Sequence, residues 1–169
     1  MMTNFKTWKK LNESTYAFYK HDEKMGEMTI EMTVFERKAI FQIKEEQYIL
    51  KHTGFWKSNI EIEDASGNIV LKTYNEKWYV NAAVIEFDDK KLKLIVRNNP
   101  MAEYAIVDGD KEILAYGLDT DDGKATTRIQ TSIHNKSYLL DFFLWYLFVP
   151  IAHENMGDNF TFTMLLMTQ

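Results

Sequence analysis

Most of the chain follows a pattern of short alternating runs separated by polar turns. In "EMTIEMTVF" (27–35), every second residue from Met28 to Val34 is apolar and the residues between them are polar. Alternation with a period of two places one set of side chains in the interior and the other in water. This is typical of an antiparallel sheet with one solvated face, which the residues from about 27 to 133 therefore predict.

Similar runs recur along this part of the chain, each followed by a polar turn. They are "NIEIE" and "IVLKTY" around the turn "DASGN", "WYVNAAVIEF" and "LKLIVRN" around "DDKK", "EYAIV" and "KEILAYGL" around "DGD", and "ATTRIQTSI" after "DTDDGK". Short strands at such regular spacing predict a sandwich or a barrel, with about ten strands in all.

The pattern changes at "YLLDFFLWYLFVPIAHE" (138–154). Ser137 is a candidate N-cap, and Asp141 lies near the first turn, where the helix dipole favours a carboxylate. From residue 142 to 152 there is no charge, so this helix must be surrounded on every side. Pro150 is expected to end or kink it near Val149. We therefore predict a helix over about 137–149.

Two interpretations of this helix remain open, a buried core helix and a membrane-inserted one. A span needs about 20 apolar residues, and the run from 137 to 152 is shorter. Its flanks also lack the Lys/Arg cluster that would orient a span. The favoured fold class is mainly β with one buried helix: a single domain over 1–169, formed by an antiparallel β-barrel or strongly curved sheet wrapped around the C-terminal helix.

Composition narrows the function classes. The chain has no cysteine, which excludes disulfides, thiolate zinc sites and cysteine nucleophiles. The N-terminus has no apolar signal segment, so a cytoplasmic location is expected, with peripheral membrane association as an option. Residues 1–57 carry 10 basic and 8 acidic side chains, and residues 58–169 carry 10 and 17. An acidic body disfavours nucleic-acid binding, which needs a concentrated cationic surface.

The titratable residues predict no catalytic, cofactor-binding or metal site. The four histidines lie in separate segments without metal-ligand spacing: His21, His52, His134 and His153. "DTDDGK" (119–124) has Gly123 at the fifth position and Gln130 at the twelfth of a calcium loop, so it is read as a hairpin turn. The carboxylate pairs at 88–89 and 121–122 lie in polar turns. Asp141 is interpreted as a helix-start carboxylate, and a catalytic role would need a neighbouring histidine in a solvent-connected pocket.

Nucleotide-binding and hydrolase motifs of the G-x-x-x-x-G-K-[ST], G-x-G-x-x-G and G-x-S-x-G types are absent from the sequence. One weak binding candidate is "KKLKLIVRN", in which Lys91, Lys93 and Arg97 share a strand face opposite Leu92, Leu94 and Val96. Three cations on an outer wall could meet phosphate headgroups, although charges on a solvated strand face are also common.

The order of these elements resembles the tubby-like barrel superfamily, which includes tubby C-terminal domains, LURP-one-related proteins and phospholipid scramblases. The resemblance is carried by "GFWKSNIEIEDASGNIV" (54–70), "EYAIVDGDKEILAYGL" (103–118) and the helix with its following residues (138–154). It implies a closed sheet around a central hydrophobic helix. The length is short for twelve full strands, so some are expected to be missing or brief. Tubby domains bind phosphoinositides through basic residues, but no matching basic motif is present, so no site residue is carried over.

These observations predict a non-enzymatic binding module that works at a membrane surface, through phospholipid headgroups, or on a protein partner. The alternative is an intracellular carrier of a small hydrophobic ligand, which would need a cavity beside the helix. The role of the apolar C-terminal segment 160–167, the ligand and the oligomeric state stay open at this stage.

Overall fold

The computed structural model of the protein describes residues 6–77, 82–98, 102–132, 135 and 137–156. It forms twelve antiparallel strands that pair in sequence order as one nearly closed barrel, followed by a single helix, α1 (Tyr138–Met156). The strands are β1 (Lys6–Lys10), β2 (Thr15–Lys20), β3 (Glu23–Met32), β4 (Arg37–Ile43), β5 (Glu46–Thr53), β6 (Asn59–Asp64), β7 (Ile69–Tyr74), β8 (Ala82–Phe87), β9 (Lys90–Asn98), β10 (Ala102–Asp108), β11 (Lys111–Asp121) and β12 (Lys124–Thr131).

The two ends of the barrel differ in the length of their connections. At the end that we call the turn end, two residues join β2 to β3, β4 to β5, β8 to β9 and β10 to β11. His21, Asp22, Asp88 and Asp89 in these turns have positive φ, as tight hairpins require. At the opposite end, the loop end, β1–β2, β3–β4 and β5–β6 are joined by four or five residues. A four-residue connection also occurs at the turn end, between β6 and β7, but most connections there have two residues.

The predicted fold class and alternating strands are confirmed, and two boundaries are corrected. Twelve strands form where about ten were expected, because β1 and β2 precede the predicted sheet; the expectation of brief strands holds for β1, which has five residues. β3 ends at Met32, so Met32 and Val34 are exposed instead of buried. The amide of Thr33 donates to the Glu36 carbonyl (2.8 Å) and closes a turn there.

The helix begins as predicted but continues past its predicted end. The Oγ of Ser137 accepts the amide of Leu139 at 3.3 Å and caps the first turn. Pro150 lies inside α1 instead of ending it at Val149. Proline itself can adopt the helical φ and removes one backbone bond. The turns beyond it are held because Ala152 is fully buried and His153 bonds to the Tyr16 hydroxyl of β2.

The barrel surrounds the helix. Trp145 stacks on Trp8 of β1 with ring centroids 5.1 Å apart, and Phe142 packs against Trp8, Phe18 and Phe41 from β1, β2 and β4. On the other side α1 packs against β10, β11 and β12. The buried-helix interpretation is thus confirmed. Within the described residues, no helix combines the length and apolar character that a bilayer span requires.

Replacing a core tryptophan tests this arrangement. Trp145→Ala is expected to lower the free energy of unfolding by about 3–5 kcal/mol, because it leaves a cavity at the centre of the barrel. The matched control is Trp56→Ala in the exposed β5–β6 loop, which should change stability by no more than about 0.5 kcal/mol. Urea denaturation followed by circular dichroism measures both. Equal effects of the two substitutions would contradict a helix enclosed by the sheet.

Candidate functional site

The first candidate, Asp141, lies in a buried polar network at the start of the helix. Its carboxylate accepts two bonds from the Lys6 ammonium, at 2.9 and 2.8 Å, and one from the Tyr116 hydroxyl at 2.9 Å. The Tyr116 oxygen in turn accepts the indole N–H of Trp8 at 3.0 Å. Asp141 is fully buried and Lys6 nearly so. The network therefore joins α1 to β1 and β11 through the barrel interior.

The environment of Tyr116 keeps its hydroxyl protonated. Burial, followed by the negative charge of Asp141, raises the pKa of Tyr116 well above its ordinary value. Tyr116 therefore stays protonated and donates to the carboxylate while it accepts from Trp8. Asp141 has Lys6 and Tyr116 as partners instead of the histidine that a catalytic role would need. The arrangement fastens the helix to the barrel.

The three histidines that the structure describes lie on different elements. His21 lies in the β2–β3 turn at the turn end, His52 on β5 and His153 near the end of α1, while His134 lies outside the described residues. His52 bonds to the Tyr146 hydroxyl at 2.7 Å, and His153 bonds to Tyr16. Across the described part of the chain, no group of three or more His, Asp or Glu side chains could hold a metal ion.

The three cations of β9 share one face of the strand, but one of them, Arg97, already forms ion pairs with carboxylates. Leu92 and Leu94 are buried, so Lys91, Lys93 and Arg97 lie on the outer wall as predicted. Val96, which was expected on the inner face, is instead 44% exposed. Arg97 is bound by two carboxylates on the neighbouring strands, Glu103 and Glu112. These ion pairs cross β9, β10 and β11, so they stabilise the sheet and leave Arg97 less able to bind an external phosphate. "DTDDGK" is the β11–β12 hairpin turn, as predicted.

The feature that stands out at the loop end is a cluster of exposed apolar side chains on two neighbouring loops. Val34 and Phe35 of the β3–β4 loop are 93% and 85% exposed, and Phe55 and Trp56 of the β5–β6 loop are 90% and 83% exposed. The Phe55 and Trp56 rings pack edge to face, 4.9 Å apart. We call these four residues the aromatic rim. Isolated exposed apolar residues are ordinary, but adjacent large ones are typical of an interaction surface.

The two loops of the rim are bonded to each other and to the barrel. The Lys57 ammonium donates to the carbonyl of Phe35, so it joins the β5–β6 loop to the β3–β4 loop. The amide of Lys57 donates to the carbonyl of Gly54 at 3.1 Å, and Gly54 has a φ of 87°, which favours glycine. His52 bonds to the carbonyl of Lys57 at 3.2 Å. These hydrogen bonds therefore fix the β5–β6 loop of the rim relative to the β3–β4 loop and to β5.

Two cations lie beside the aromatic rim without a carboxylate partner. The Arg37 guanidinium lies over the Tyr146 ring, 4.6 Å from its centroid, and the Lys57 ammonium is bound to a carbonyl. Over the described ranges of the chain, neither makes a salt bridge within 4.0 Å. Glu36 is the carboxylate of the β3–β4 loop. The hydrogen bond to Glu63 chiefly raises the pKa of Lys51, and the negative charge of Glu36 adds to this effect. The rim thus combines apolar side chains with cationic ones.

The aromatic rim was not predicted, because the alternating pattern continues into it. Val34 continues the period-two run that begins at Met28, so it was assigned to the inner face of a strand. A usable signal was the pair Phe55–Trp56, which directly follows a glycine and precedes a lysine between two strands. Large aromatic residues in a short polar connection have no neighbouring strand to cover them.

Comparison of the chain with protein-family models, curated proteins and solved structures finds no match. The assignment of a function therefore depends on the geometry alone.

The buried ion pair gives a second test. Asp141→Ala is expected to cost about 3–5 kcal/mol of stability, because it leaves the Lys6 ammonium buried without a partner. The double variant Lys6→Met/Asp141→Leu removes both charges and should be more stable than Asp141→Ala alone. Urea denaturation compares the three proteins. A single variant as stable as the wild type would show that the pair is not buried.

The tyrosines predict how stability depends on pH. Burial raises the pKa of Tyr16 to about 12 and raises that of Tyr116 well above its ordinary value, whereas tyrosine in an unfolded chain ionises near pH 10. The unfolded state therefore releases protons first, so this stabilisation is full below about pH 10 and is lost as the pH rises towards 12.

Urea midpoints measured between pH 8 and pH 11.5 should fall above about pH 10. Tyr116→Phe should make that fall less steep, because it removes one of the groups that titrate. A midpoint independent of pH over this range would contradict the buried, neutral tyrosines.

Proposed function

We propose that the protein is a non-enzymatic binding module that docks on a membrane surface through the aromatic rim. The observation that carries the proposal is the exposure of Val34, Phe35, Phe55 and Trp56 on two bonded loops at one end of the barrel. Loops on a rigid scaffold are common binding elements, since the scaffold fixes them without covering their side chains.

The chemistry of the rim fits the interfacial region of a bilayer. Removing one large apolar side chain from water contributes about 1.5–3 kcal/mol, so a rim that inserts Phe35, Phe55 and Trp56 would gain enough for reversible binding. Tryptophan favours the headgroup level, because its ring is apolar and its N–H is polar. Such docking needs no spanning helix.

The cations of the rim favour a membrane over an apolar protein groove. Lys57 is exposed and Arg37 is half-buried over Tyr146, and neither makes a salt bridge in the described part of the chain. The negative surface potential of anionic lipids would therefore attract their charges. The negative charge of Glu36 partly offsets the attraction of these two cations to anionic lipids. We therefore expect binding to neutral vesicles through the apolar side chains, and stronger binding when anionic lipid is added.

The packing of α1 argues for this function over the carrier function. Phe142, Phe143, Trp145 and Phe148 are fully buried at the centre of the barrel. A hydrophobic ligand would have to displace them. The same proposal places the protein in the cytoplasm, peripheral to a membrane, as a distant member of the tubby-like superfamily. Support for that membership comes from the order of the strands and the central helix.

Flotation with liposomes tests the proposal. The wild type should float with phosphatidylcholine vesicles that contain phosphatidylserine, and the variant Phe55→Ser/Trp56→Ser should bind at least about tenfold more weakly. The matched control is Ile69→Ser, which removes a 53% exposed apolar side chain at the turn end and should bind like the wild type. Flotation of the rim variant at the wild-type level would exclude the rim. A wild type that stays in solution would instead favour a protein partner.

A further inference from the structure

His52 is the residue that connects the aromatic rim to the central helix. Its Nδ1 lies 3.2 Å from the carbonyl oxygen of Lys57, and its Nε2 lies 2.7 Å from the hydroxyl of Tyr146. A carbonyl oxygen only accepts, so Nδ1 must carry the proton. In the neutral ring Nε2 then has a lone pair and accepts the Tyr146 hydroxyl. One imidazole therefore bonds to the β5–β6 loop on one side and to α1 on the other.

Tyr146 is the hydrogen-bond donor to His52. Burial raises its pKa, although the positive charge of Arg37 acts in the opposite direction. Its hydroxyl is therefore protonated throughout the range in which histidine titrates, and its ring is held in the barrel by its position on α1. The bond to His52 thus anchors the loop to a fixed point.

Two cations lie near His52. Arg37 on β4 stacks on the same Tyr146 ring, and Lys57 in the adjoining loop carries a further positive charge. On β6 the register partner of His52 is Ile60, which has no charge. Glu36 in the β3–β4 loop carries a negative charge. Among the described residues, however, no carboxylate lies within salt-bridge distance of His52.

We propose that His52 is a proton-sensitive latch that holds the β5–β6 loop of the aromatic rim against α1. When Nε2 takes up a proton it can no longer accept from Tyr146. The hydroxyl can turn and accept instead, but the imidazolium then adds a positive charge to those of Arg37 and Lys57 and, among the described residues, has no carboxylate within salt-bridge distance. The latched state loses stability relative to a state in which the loop carrying Phe55 and Trp56 has moved away from the helix.

The latch makes the order of the rim depend on pH. Its role in docking rests on the proposed function, because a loop that is ordered before binding loses less conformational entropy on the membrane. The latch itself needs no lipid. Its failure and a failure of membrane docking are therefore distinguishable: the first is observed in the free protein, and the second in flotation.

Nuclear magnetic resonance on the full, lipid-free chain tests the latch between pH 8 and pH 5. The nitrogen shifts of His52 should show the Nδ1–H tautomer at pH 8. As the ring takes up a proton, the backbone order parameters of residues 55–57 should fall from about 0.85 to below about 0.6, with the same midpoint as the ring. His52→Gln should keep the loop ordered over the whole range, because its amide can both donate and accept but cannot charge.

The matched control is His21→Gln, which removes a histidine at the turn end and should leave the pH response of residues 55–57 unchanged. Tyr146→Phe removes the donor and should lower the order parameters of the loop already at pH 8. An Nε2–H tautomer in the wild type would overturn the proposal without any variant. So would loop signals that titrate independently of His52, or that still respond to pH in His52→Gln.

Discussion

The structure depends on one geometric constraint, which is that a twelve-stranded barrel must be filled. Eight strands enclose a space that their own side chains can fill, and more strands enclose a wider one. Here α1 fills it. From Leu139 to Tyr146 every residue is buried, so this part of the helix has no solvent face and its largely apolar character is a consequence of its position. The sheet and the helix each cover surface that the other would expose to water.

The helix also carries the few polar contacts that fix its depth in the barrel. At the turn end, Asp141 bonds to Lys6 and Tyr116, and a helix shifted along its axis would leave these buried groups unpaired. Towards the loop end, Tyr146 bonds to His52 and His153 bonds to Tyr16. Apolar packing alone would tolerate such a shift better than hydrogen bonds, which are directional.

Local patterns predict the local parts of this structure and miss those formed between distant residues. The alternation around Leu92, the helix start at Ser137 and the hairpin at "DASGN" are encoded in neighbouring residues, and the structure has them where they were expected. The Lys6–Asp141 pair joins positions 135 residues apart, so no short window contains both. The rim was missed because Val34 keeps the strand alternation, and only the turn at Thr33 shows that the strand has ended.

The filled interior determines where a function can be located. A barrel with an open lumen can bind a ligand inside it, but here aromatic side chains of α1 and the sheet occupy the centre. This packing favours a binding surface on the outer wall or at an end over one inside the barrel. On the wall, Arg97 is already paired, and at the turn end most connections are two residues long. The loop end has longer connections with exposed aromatic side chains, and the same helix that closes the lumen anchors one of these loops through Tyr146. Tyr146, on the helix that occupies the barrel interior, thus also holds the loop that carries the proposed docking surface.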